Sequence, residues 1–78
     1  RKSWREAYES LMPVYYAQRE HRHEHGRFAT RLADLTSLPA DIRGRLTRSG
    51  FTLAATATSF TATLPPWTID HEGRLTRR

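Results

Sequence analysis

The chain contains no cysteine, so disulfide staples and thiolate chemistry are both excluded and the redox compartment is left open. No apolar run approaches the roughly 18 residues that a membrane span requires, and no signal-peptide apolar region is readable. None of the four glycines belongs to a glycine-rich phosphate loop, and Ser3, Ser10, Ser37, Ser49 and Ser59 lack the surroundings of a nucleophile elbow. Paired acids facing each other across a cleft, as glycoside hydrolysis needs, are missing as well. Asp70 and Glu72 flank a single turn, where solvation is their expected fate. With these routes closed, no catalytic residue is assigned and a non-enzymatic role is expected.

What is present is a single domain, residues 1–78, near the lower size at which a core alone suffices for stability. Because the chain opens at Arg1 without a Met, it is expected to be the C-terminal piece of a longer protein. Thirteen basic residues against eight acidic ones give a net charge of +5, and all the basic residues but Lys2 are arginine. Guanidinium forks match phosphate oxygens, so a basic nucleic-acid-binding module is one reading. The arginines, however, run from Arg1 through Arg19, Arg31, Arg45 and Arg74 to Arg78 without forming a block, and a charge footprint without a motif argues against nucleic acid as a partner.

Taken in order, Ser3 with Glu6 is a capping-box signature, after which Trp4, Tyr8, Leu11 and Tyr15 recur at helical spacing. Pro13 removes a backbone donor and crowds the preceding turn, at about 3 kcal/mol in a regular helix interior, so a kink or a division into two segments is expected there. Beyond it Val14, Ala17, Gln18, His21 and His25 share one side, while Arg19, Glu20, Arg22 and Glu24 lie around the other. Gly26 suits the left-handed residue that closes a helix. Phe28 follows as an aromatic hook, and Thr30 with Asp34 predicts the cap and acidic first turn of a short second helix carrying Leu32 and Leu35. A further helical turn is expected with Pro39 at its start, running through Ile42 to Leu46.

Ser49-Gly50 then changes the period to two. Phe51, Leu53, Ala55 and Ala57 alternate with more polar neighbours, and after a tight connection near Thr58-Ser59 the alternation resumes with Phe60, Ala62 and Leu64 inward. Pro65-Pro66 ends that strand. Trp67 and Ile69 share a face, residues 70–73 turn the chain with Gly73 in a left-handed position, and Leu75 returns to the core. The fold class is therefore α+β, with a kinked N-terminal helix packed on a three- to four-stranded antiparallel sheet.

Two side-chain groups suggest binding. His21-Arg22-His23-Glu24-His25 matches H-x-x-E-H, which makes His21 and His25 the candidate metal ligands on one helix face. A catalytic zinc would need a third protein ligand from a second long helix, and none is readable after Gly26. Histidine is also the side chain whose charge changes nearest neutrality, so mild acidification raises the charge of this segment whatever its role. Trp4 and Trp67 are the candidate ligand-binding residues, since an indole face suits the C–H surface of a pyranose; the commoner use of such aromatics is core filling. Gly50-Phe51-Thr52-Leu53 imitates the start of a prepilin cleavage site, but Ala54-Ala55-Thr56-Ala57-Thr58 follows where that site runs into a Glu and a long apolar helix.

The run from Tyr15 to Leu35, followed by the Thr-rich strand pair and the close from Trp67 to Arg78, resembles the tail of bacterial carbohydrate-binding family 9-like proteins. That tail in turn is similar to the globular head of type IV pilins and pseudopilins. The tokens are Tyr15-Tyr16-Ala17-Gln18, Gly26-Arg27-Phe28, Leu32-Ala33-Asp34-Leu35, and Asp70, Gly73 and Arg74; the resemblance covers about residues 8–78. The resemblance implies a pilin-head-like fold and a non-catalytic accessory domain of a secreted or cell-envelope protein, extracellular or periplasmic. Its partner would be an upstream domain of the same chain, through which any carbohydrate is bound. Family 9 modules can use calcium, but no calcium-loop pattern is visible here, so no cofactor is expected. A minor pilin or pseudopilin head, a filament subunit, is the alternative; against it, Arg1-Lys2-Ser3 are polar where that family has an apolar helix.

Overall fold

The computed structural model describes residues 4–77. A long helix α1 (Trp4–His25) is followed by a 3-10 turn (Leu32–Asp34), a second helix α2 (Ala40–Arg48), and four strands: β1 (Thr52–Ala55), β2 (Phe60–Leu64), β3 (Trp67–Asp70) and β4 (Leu75–Arg77). The strands form one antiparallel sheet in the order β1-β2-β3-β4, and α1 packs across β2 and β3. The architecture is α+β.

The buried residues of α1 are Ala7, Ser10, Leu11, Val14, Ala17 and Gln18, a stripe at three- and four-residue intervals that faces the sheet. The helix carries Pro13 inside it as one continuous element and is not divided into two. Leu11 and Val14, fully buried on either side of the proline, hold the helix through it, since tertiary packing rather than propensity supplies most helical stability. The Ser3 half of the capping box lies outside the described residues.

Gly26, at φ +78°, closes α1 by donating its N–H to the Arg22 carbonyl at 2.7 Å. The chain is then clasped back onto the helix. Gln18 Nε2 donates to the Ala29 carbonyl at 2.8 Å, and the Ala29 N–H donates to Gln18 Oε1 at 2.7 Å. Gln18 is fully buried, and these two bonds satisfy the amide while pinning the hook. Phe28 enters the core edge-on to Phe60, with ring centroids 5.0 Å apart.

The short second helix expected after Thr30 is only a 3-10 turn, Leu32–Asp34. Arg31, not Thr30, stands at its N-cap, and no side chain caps it. Asp34 meets Arg31 at 3.7 Å, an exposed contact worth little. Leu35 and Leu38 are buried just after the turn and Leu32 packs against the core, so the segment is pinned at three leucines while only one 3-10 turn forms. The helix expected behind Pro39 is longer than a turn: α2 has nine residues, with Pro39 at its N-cap. Thr47 Oγ1 donates to the Arg43 carbonyl at 2.9 Å, and the Phe51 N–H reaches the Leu46 carbonyl at 3.2 Å where the helix ends.

β2 alternates strictly, with Phe60, Ala62 and Leu64 buried. Ala62 pairs with Leu53 on one side and Ile69 on the other. β1 is an edge strand, and Phe51, Leu53 and Ala55 are only half-buried against the core. Ala57, expected inward, is exposed because it belongs to the β1–β2 turn. There Thr56 Oγ1 accepts the N–H groups of Thr58 and Ser59 at 3.3 and 3.1 Å. A threonine hydroxyl thus does the local work usually given to Asn or Asp. Pro65-Pro66, joined by a cis bond, is the whole connection between Leu64 and its partner Trp67. On the face away from α1, Thr52, Thr63, Thr68 and Thr76 are successive partners across all four strands, and the Thr63 and Thr68 hydroxyls lie 3.2 Å apart.

The β3–β4 turn is built by Asp70. Its Oδ1 accepts the N–H groups of Glu72 and Arg74, both at 3.0 Å, so this carboxylate is engaged by backbone and not simply solvated. Gly73 is required there twice over: its φ is +81°, and a Cβ would lie 3.1 Å from Cζ of Tyr15. The turn therefore seats its backbone directly on a side chain of α1.

Candidate functional site

His21 and His25, the candidate metal ligands, are brought together at the end of α1 with ring centroids 4.4 Å apart. The Nδ1–H of His21 donates to the Arg27 carbonyl at 2.8 Å, which leaves the lone pair of the neutral ring on Nε2. Such a bond is how ligating histidines are commonly oriented. His25 lies beside Glu24, Nε2 to Oε1 at 3.9 Å, with both side chains well exposed. Among the described residues no group of three or more His, Cys, Asp or Glu converges to hold a metal ion. The H-x-x-E-H match thus resolves into a two-imidazole pair beyond which the helix stops.

The two tryptophans are far from equivalent. Trp4 is 55% exposed and Tyr8 42% exposed, and their rings stack at 5.0 Å with an interplanar angle of 25°. The expectation that Trp4 heads a core stripe is therefore corrected: the stripe turns inward only from Ala7 and Leu11, and Trp4 lies beyond them, with its i+4 neighbour as ring partner. Trp67 is half-buried against the core, in phase with the buried Ile69, and Arg77 stands over its ring at 5.9 Å. One indole belongs to the helix surface and the other to the sheet.

An open cleft of about 520 Å³ lies between the last turns of α1, the hook and the β3–β4 turn, lined by Arg19, Arg22, His23, Phe28 and His71. Each guanidinium is placed by an aromatic ring. Arg22 Cζ stands 5.2 Å from the Phe28 centroid and Arg19 Cζ 5.8 Å from that of Tyr15. Stacking of this kind uses the flat face of the guanidinium and leaves the N–H donors at its edge free. Among the described residues neither arginine forms an ion pair. Of the acids of α1, Glu20 and Glu24, with His21 and Asp34, line a separate small hollow. A second, less polar cleft of about 340 Å³ runs between Leu32, Phe51 and Leu53, rimmed by Thr30, Arg31 and Thr47.

The cleft is the feature that linear inspection missed. Arg19, Arg22 and His23 follow Tyr15 at helical spacing, so their common face is implicit in the sequence, but His71 joins them only because Gly73 lets the distant turn rest on Tyr15. No protein-family profile, curated protein or solved structure matches the chain.

Proposed function

We propose that this domain is a non-catalytic accessory module that packs beside a carbohydrate-binding family 9-like partner domain of a secreted or envelope protein. The reading rests on the sequence resemblance. The observation that supports it best is the exposed Trp4–Tyr8 stack on the first turns of α1. Large aromatics left in solvent suit burial against a neighbouring surface, because their apolar area is the main driving force for association. In this reading sugar contact belongs mainly to the partner domain, and the location is extracellular or periplasmic.

A glycan array probed with the 78-residue chain and, in parallel, with its full-length parent protein tests the proposal. Binding by the parent alone is the expected result. Binding by the chain alone would overturn it, making the domain a lectin-like module with Trp67 and Trp4 as site residues. Binding by neither would remove the carbohydrate link.

The second reading is a minor pilin or pseudopilin head, favoured by the same long helix laid on a four-stranded meander. Among the described residues no helix is long and apolar enough to cross a membrane. The gene sequence encoding what precedes Arg1 separates the two: about 20 apolar residues support the filament subunit, and strand-forming sequence supports the accessory module.

A further inference from the structure

We propose that the cleft between α1 and the β3–β4 turn is a binding site for a tetrahedral oxyanion group, a phosphate or a sulfate. The inference is independent of either reading above, since it rests on the cleft alone. Its walls carry Arg19, Arg22, His23 and His71 over the ring of Phe28, four nitrogen-bearing side chains on two elements and no carboxylate. An Arg fork matches two oxygens of a phosphate or sulfate, and such charge-assisted bonds are about twice as strong as neutral ones. Here both forks are held from behind by Phe28 and Tyr15, so less side-chain freedom is lost when an anion arrives.

The charges nearby have been sorted in the same sense. Arg74 already meets Glu72 at 3.7 Å, Asp70 gives its Oδ1 to the backbone of the turn, and Glu20 and Glu24 line the other hollow. The opposing influence is the C-terminal end of α1, whose carbonyls carry partial negative charge. Gly26 ties back the Arg22 carbonyl of that last turn, and just beyond the helix the Nδ1–H of His21 donates to the Arg27 carbonyl. The general basicity of the chain does not by itself produce this arrangement: Arg45 and Arg48 on α2 are also exposed, yet no ring positions them among the described residues.

The test is a titration of the ¹⁵N-labelled 78-residue chain with sodium sulfate, inorganic phosphate and glucose 6-phosphate. Sodium chloride at matched ionic strength and glucose serve as controls. The expected result is saturable shifts confined to the Nε–H signals of Arg19 and Arg22 and to the amides of His23 and His71. Arg22→Gln should weaken binding about tenfold, the loss of one charged fork. His71→Ala, in an exposed turn, should weaken it by a smaller factor, and Arg45→Gln with Arg48→Gln should change nothing. Saturation by inorganic sulfate or phosphate would show that the free ion suffices; saturation by glucose 6-phosphate alone would identify an ester on a sugar body. Linear shifts shared by Arg45 and Arg48, or undiminished binding by Arg22→Gln with its spectrum otherwise intact, would overturn the proposal.

Discussion

The two ends of α1 are held in opposite ways. At the C-terminal end Tyr15 lies against Gly73, Gln18 clasps Ala29 through two hydrogen bonds, and Phe28 closes against Phe60. At the N-terminal end Trp4 and Tyr8 stack on each other and face solvent. Trp4, Tyr8, Leu11 and Tyr15 belong to one helical series, so the contrast does not come from amphipathic pattern. It comes from where chain is available to cover the helix: the hook and the β3–β4 turn fold back over its second half. A pattern of apolar residues states which face of a helix can be buried, and the rest of the fold states how much of that face is.

That contrast can be broken by substitution. The largest loss is expected for Phe60→Ala, which empties the ring contacts of Phe28 and Tyr15 at the buried start of the internal strand β2. It should cost about 3 to 5 kcal/mol in denaturant unfolding. Leu53→Ala on half-buried β1 should cost less, about 1 to 2 kcal/mol, since only part of the side chain leaves water on folding. Equal losses for the two would contradict the division into a central and an edge strand.

Gln18→Leu keeps the volume but strands the buried N–H and C=O of Ala29, an expected loss of about 2 to 4 kcal/mol. Amide exchange should rise at Ala29 before it rises in β2; simultaneous loss of protection would mean the hook is no separate unit. Gly73→Ala forces a left-handed alanine and presses its Cβ against the Tyr15 ring, for about 1 to 3 kcal/mol. Near-UV circular dichroism should report the displaced tyrosine. Trp4→Ala and Tyr8→Ala should each stay within about 1 kcal/mol, the value of an exposed ring pair. A loss at Trp4 larger than that at Gly73 would erase the difference between the two ends.

Much of the local structure was legible beforehand for a shared reason: it depends on residues a few positions apart. Gly26 ends the helix and Gly73 sits in the left-handed turn because the tight closures there need a positive φ that a Cβ resists. The alternation of Phe60, Ala62 and Leu64 puts all three inside because successive strand residues point to opposite faces. The four-stranded meander follows from short turns between such segments. Thr30 misled because a capping side chain needs a helix long enough to nucleate after it, and the chain turns into Leu35 instead. The H-x-x-E-H match placed two imidazoles side by side and nothing more, since spacing within one helix cannot supply a ligand from another element.

The amino-acid sequence by itself determined the α+β class, the helix stop, the strand phases and the excess of arginine over acid. Only the tertiary structure decided which arginines line one cleft, that Gln18 is a buried clasp, and that Trp4 stands outside the core. These features depend on which distant segments meet. Periodicity and propensity are short-range quantities, whereas burial and the convergence of charges are set by contacts such as Tyr15 on Gly73, more than fifty residues apart in the chain.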